Sequence, residues 1–178
     1  GTLGGITVLY FLPTPISVSH AGLAQIFFCL IVSLALFTSA GWRNTRELHR
    51  HEPVRRDAAM LVLATTLPSL VYIQILVGAT MRHTGAGLAI PDFPLVFGGL
   101  LPSTWSFGIT VHYAHRIGAL ATAGLVLATL GHLLAHHRDR GDLLHPAWAL
   151  VVLVLGQISL GGWTVLSERA AIVNTAHV

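Results

Sequence analysis

Eleven histidines stand beside seven carboxylates and ten basic residues, every one of the ten an arginine, in a chain of 178 residues. Imidazole is the commonest side-chain metal ligand, so this excess raises metal ligation as the first chemistry to consider. Cysteine offers no alternative. Cys29 is the single one and lies in an apolar run, so neither a disulfide framework nor a cysteine-based zinc site can be assembled within the chain.

The elements that must position the histidines follow from composition. Hydrophobic residues make up 53% and charged residues 10%, against roughly 25% charged in an average soluble domain, which excludes an ordinary water-soluble fold. A formal charge of +3, with no basic stripe interleaved with aromatics, excludes a nucleic-acid partner. Stretches free of Asp, Glu, Lys and Arg run over about 21–42, 58–81, 117–137 and 143–167, each matching the roughly 20 residues of helix that cross a bilayer core. Charge is expected only in the connectors. Residues 1–12 and 174–178 read as pieces of further helices, so the sequence is expected to come from a longer chain. Arg43, Arg46, Arg50, Arg55 and Arg56 share one connector, and Arg138 and Arg140 share another two helices later. Cytoplasmic loops hold the basic excess, so both are expected inside, with 82–113 and 167–175 outside.

The sequence also repeats. Leu3-Gly4-Gly5-Ile6-Thr7-Val8-Leu9 returns as Leu160-Gly161-Gly162-Trp163-Thr164-Val165-Leu166, and His20 and His177 stand at the same offset of 157. A shorter echo relates Gln74-Ile75-Leu76-Val77-Gly78-Ala79 to Gln157-Ile158-Ser159-Leu160-Gly161-Gly162. These repeats imply a duplicated helical bundle with parallel halves. The division expected is 1–42 as the end of a first half, 43–57 as an Arg-rich cytoplasmic linker, and 58–178 as a second four-helix half with its last helix cut short.

On this topology His20, His115 and His177 each fall at or near the outer end of an inward-running helix. Two same-direction helices with imidazoles at one height can hold a planar macrocycle between them. Bundle cofactor sites are built from facing side chains, and His is a usual axial ligand of haem iron. A snorkelling or hydrogen-bonded interfacial histidine is the plainer alternative for any one of the three. His112, three residues before His115, reads as a second metal site, a proton-handling group or an interfacial polar residue; His83 stays equally open. His132, His136, His137 and His145, with His49 and His51, read as solvated interface residues. Arg82, Arg116 and Arg169 are the outer basic residues. Arg116 adjoins a proposed ligand and suits a propionate, Arg82 is a second candidate, and Arg169 serves equally as an interfacial anchor. The segment from Arg82 to Pro94 holds two glycines and two prolines around Asp92, and is expected to cap the bundle or to form a tight turn.

The run Gly78-Ala79-Thr80-Met81-Arg82-His83-Thr84-Gly85-Ala86-Gly87-Leu88-Ala89-Ile90-Pro91-Asp92-Phe93-Pro94-Leu95 is followed by His115-Arg116, by Leu160 to Leu166, and by Asn174 to His177. With Val18-Ser19-His20, Phe27-Phe28 and Thr38-Ser39, these residues resemble the haem A synthase family over nearly the whole chain. The resemblance implies an all-α transmembrane protein of eight helices in two four-helix halves, each with a histidine pair near the outer side. It implies oxidation of a methyl group of haem O to the formyl group of haem A, serving terminal oxidase assembly and receiving haem O from its synthase. Carried over by position, His115 and His177 would ligate the iron of a resident haem b, with Arg116 and Arg82 as cofactor partners. His20 would belong to the substrate haem O and ligate its iron. The family's catalytic Glu, three residues before the partner of His20, would precede Gly1, so no catalytic residue is assigned. Ile90 and Val96 stand where many members have cysteines, and His112 stands where the first half has its Glu. The location implied is a bacterial inner membrane, with the haem sites near the periplasmic side. A non-catalytic di-haem electron-transfer protein of the cytochrome b561 kind is the main rival, and a transporter a weaker one.

Overall fold

A computed structural model describes residues 1–10, 13–48 and 57–177. His49, His51, Arg50, Arg55 and Arg56, expected in a cytoplasmic linker, lie outside the described residues. Among the described residues the helices are α1 (Thr2–Leu9), α2 (Thr14–Thr38), α3 (Ala40–Leu48), α4 (Ala58–His83), α5 (Phe107–His136), α6 (Gly141–Leu166) and α7 (Ala171–His177), with a 3-10 turn at Ala86–Leu88. Helices α2, α4, α5 and α6 have 25, 26, 30 and 26 residues and are apolar enough to cross a membrane. At about 1.5 Å rise per residue each exceeds the roughly 30 Å hydrocarbon core. The protein is an all-α integral membrane protein.

Hydroxyl side chains fit such helices because they bond back to their own backbone. Thr65, Thr66, Ser69, Thr80, Thr122, Thr129, Ser159 and Thr164 each donate to the carbonyl four residues earlier. No hydroxyl in that set needs water within an apolar surround.

The chain forms two compact units, Gly1–Ala58 and Ala59–Val178. In the first, Pro13 caps α2 and Pro15 occupies its first turn, where a missing N–H costs nothing. The helix therefore starts at Thr14, ahead of the charge-free stretch expected from residue 21. It stops at Thr38 because Ser39 takes an extended conformation. The Ser39 hydroxyl then accepts from the Trp42 N–H and starts α3, and the Phe37 and Trp42 rings meet at 5.1 Å.

In the second unit, Leu67 of α4, Val126, Leu130 and Leu133 of α5, and Ala147 and Val151 of α6 form one buried cluster. All of these lie in the halves of their helices nearer the Arg138–Asp142 connector. The other ends of α4 and α5 leave an apolar groove of about 270 Å³ lined by Ile73, Val77, Thr80, Thr110, Val111 and Ala114. Helix α5 starts at Phe107, where the Ser106 hydroxyl accepts from the Ile109 N–H. That start lies ten residues ahead of the expected stretch at 117. Arg116 therefore stands inside a spanning helix and not in a connector, and His115 lies two turns into α5.

Candidate functional site

Arg116 can occupy α5 because its charge is spent locally. Nη1 donates to the Leu95 carbonyl at 2.8 Å, while Nη2 donates to Ile90 at 3.1 Å and Asp92 at 2.6 Å. The guanidinium also stands 5.7 Å from the centre of the Phe93 ring. Three carbonyls converging on one fork of donors give charge-assisted bonds, so Arg116 clamps the segment after α4.

That segment has further internal ties. The Asp92 carboxylate accepts from the Phe97 N–H at 2.9 Å and the Gly98 N–H at 2.8 Å. These two bonds hold Asp92 below the usual carboxylate range. Phe97 and Gly98 both have positive φ, and Val96 and Gly99 exchange backbone hydrogen bonds. The result is a closed loop whose Ile90 is fully buried. His112, also buried, accepts from the Ile90 N–H through Nδ1 at 3.3 Å. It holds the loop, which is a role the sequence did not reveal.

Phe93 carries the loop onto α6. A Cβ on Gly162 would meet the Phe93 ring at 2.6 Å, so the ring rests directly on the helix backbone. The adjacent Gly161 faces His177: a Cβ there would meet Cε1 at 3.0 Å. On α4, a Cβ at Gly78 would meet Cε1 of His115 at 2.9 Å. Gly78 and Gly161 each stand five residues before the ends of their helices, His83 and Leu166. Their rings are thereby held at matching depths.

These rings adjoin at right angles. His115 and His177 have centroids 6.3 Å apart and planes at 83°. A metal–imidazole bond of about 2.0–2.1 Å, with about 1.1 Å from nitrogen to ring centre, places two imidazoles on opposite sides of one ion about 6 Å apart. The Nδ1 atom of His177 is buried without a hydrogen-bond partner, as expected of a ring whose partner is a bound group. Gln74 Nε2 lies 3.1 Å from His115 Nδ1 and donates to the His115 carbonyl at 2.7 Å. Gln74 thereby ties both the ring and the backbone of His115 to α4. Among the described residues no third His, Cys, Asp or Glu joins this pair. Two ligands are too few for a closed bare-metal site, but they suffice for an iron whose other positions a macrocycle fills. The residues fit a haem.

Each remaining candidate has its own surroundings. In the first unit His20 is exposed and lies over Gly4, whose Cβ would meet its Cε1 at 3.4 Å. Arg82 is exposed in the last turn of α4. Arg169 passes Gly87 at 3.9 Å from where a Cβ would stand, joining the loop after α6 to the loop after α4. At the far end of α5, His132 and His136 stack at 4.6 Å, with His137 5.8 Å from His132.

Fold and site together define an all-α integral membrane protein with a half-buried histidine pair on α5 and α7 and a loop clamped to α5 by Arg116 and His112. Within that class, the chain belongs to the cytochrome oxidase assembly protein family, COX15-CtaA, whose profile it matches over residues 1–178. It is similar to proteins named heme A synthase. The one from Staphylococcus carnosus is 24% identical over 98% of this chain and 55% of its own length. The one from Cereibacter sphaeroides is 30% identical over 89% and 44%, and that of Bacillus pumilus 26% over 98% and 56%. The chain spans about half the length of these curated relatives.

Proposed function

We propose that this chain is part of a haem A synthase, an oxidoreductase that converts a methyl group of haem O to the formyl group of haem A for terminal oxidase assembly. The observation that carries the reading is the pair His115 and His177, seated on two glycines, which no third His, Cys, Asp or Glu joins among the described residues. The names of the relatives support the same activity. The group held by the pair is a haem b, which supplies iron redox chemistry that no side chain offers. The chain's own part is to hold and orient it: His115 and His177 ligate, Gln74 fixes the His115 ring, and the clamped loop keeps water from that end of α5 and α6. Arg116 spends three of its five N–H donors on the loop, leaving two for a propionate, and Arg82 is the second such cation.

His20 belongs to the substrate haem O site, in a first half related to the second by duplication across the linker at 43–57. Haem O comes from its synthase. The membrane is a bacterial inner membrane, with the histidine end towards the periplasm, because Arg138 and Arg140 mark the opposite end. Extraction of haems from cells with and without the intact gene tests the activity. Its loss should raise haem O at the expense of haem A, and an unchanged ratio would defeat the reading in favour of an electron carrier.

A further inference from the structure

A backbone that lets an imidazole lie against it fixes where that imidazole stops. A Cβ added at Gly78 would stand 2.9 Å from Cε1 and 3.4 Å from Nδ1 of His115; at Gly161 it would stand 3.0 Å from Cε1 and 3.3 Å from Nε2 of His177. Ordinary contact begins at 3.4 Å, so the rings would have to retreat by about 0.5 and 0.4 Å, whereas metal–ligand distances tolerate only about ±0.2 Å. His115 cannot retreat freely, because Gln74 holds it at Nδ1 and the Gln74 amide is itself wedged against Gly118. Such close approach is not general to the glycines of these helices. Gly124 of α5 and Gly156 of α6 would meet nothing within 4 Å.

The same pairing arises twice from one local pattern. Gln74 and Gly78 stand four apart on α4, and Gln157 and Gly161 stand four apart on α6, so each pair shares a helix face. One glycine receives the histidine of α5, and the other receives that of α7.

We propose that Gly78 and Gly161 are ligand-positioning residues, each setting how closely its imidazole approaches the neighbouring helix and together setting the gap in which His115 and His177 share one iron. The proposal rests on the reading of this pair as haem ligands. Gly4, whose Cβ would already stand at 3.4 Å from His20, marks the tolerant end of the series.

The test uses the full protein purified from membranes with its haem. Gly78→Ala and Gly161→Ala should lower haem retention about tenfold or more, the scale on which supporting residues tune metal sites. They should also shift the low-spin electron paramagnetic resonance of the haem that remains. Gly124→Ala and Gly156→Ala should leave both unchanged. Wild-type retention and spectrum in Gly78→Ala and Gly161→Ala would overturn the proposal. If Gly161→Ala fails to accumulate, the same change in a His177→Ala background, where no ring stands in the way, should accumulate normally; failure there too would make Gly161 a packing residue and overturn the proposal. His115→Ala and His177→Ala separate the two readings. A low-spin spectrum surviving both would defeat the ligand assignment itself, while its loss there but not in the glycine variants would defeat the seating alone.

Discussion

Arg116→Met removes three hydrogen bonds, at 2.8, 3.1 and 2.6 Å, from one guanidinium to the carbonyls of Leu95, Ile90 and Asp92, while keeping an apolar stem along α5. Hydrogen bonds involving a charged group contribute about 1.5–3 kcal/mol each. The guanidinium is only part-buried, and water replaces some of what is lost, so the set is worth about 2–4 kcal/mol to closure of the loop. Because these bonds join the loop to α5, their loss should act on local opening and not on the whole bundle. The amides that report it are those of Val96, Phe97, Gly98 and Gly99, hydrogen-bonded within the closed loop, and that of Ile90, bonded to His112 of α5. At 1.4 kcal/mol per factor of ten, their hydrogen exchange should accelerate about 30- to 1,000-fold, while amides around Val126, Leu130 and Leu133 in the buried cluster stay as in wild type. Arg116→Lys should fall between the two, since one ammonium cannot satisfy three carbonyls in a fork. Loop exchange within about threefold of wild type would refute the clamp, and equal acceleration through α5 would place Arg116 in the global fold instead.

The Asp92 carboxylate is held below its ordinary value of 3.8 by the Gly98 and Phe97 amides, so its stabilising effect is full above that value and is lost as pH falls through the lower folded value. Loop exchange, corrected for intrinsic rates, should therefore stay flat from neutral pH down to the ordinary carboxylate range and rise only below it. Asp92→Asn should open the loop at neutral pH and abolish the acid step, and a step retained in that variant would assign it to another group. His112→Phe leaves the Ile90 N–H without its acceptor in a fully buried position. The change should cost about 1–3 kcal/mol in thermal or denaturant unfolding, with faster exchange at Ile90. A loss below about 0.5 kcal/mol, within the range of neutral surface changes, would show that the bond contributes nothing.

The four long helices were legible because length without charge is a strong signal when the surround is lipid. Their starts were not, for two local reasons. A charged residue ordinarily marks a boundary, yet Arg116 sits inside α5 because the loop carbonyls satisfy it, and that loop returns to the helix from more than twenty residues upstream. Pro13 and Pro15 lie ahead of the stretch expected from residue 21, although proline in the first turn is itself a start signal. The histidines divided in the same way. That His115 and His177 adjoin is legible from spacing and depth, which are properties of a helix read by itself. The role of His112 is not legible in the sequence because its partner is a backbone N–H at Ile90, and no side-chain pattern announces a backbone donor.

The repeated Gly-Gly shows where reading by similarity stops. Its first glycine does related work in both copies, since Gly4 lies under His20 and Gly161 under His177, and the in-phase histidine made that visible in the sequence. Its second glycine does not. Among the described residues nothing comes within 4 Å of a Cβ at Gly5, whereas Gly162 carries the Phe93 ring. Phe93 belongs to a loop fastened by Arg116, Asp92 and His112, residues that have no counterpart in the short repeated motif. The same dipeptide therefore has one partner supplied by the repeat and another supplied from outside it. Substituting Gly162 tests the loop, and substituting Gly161 tests the seating of His177, although the two are adjacent in sequence.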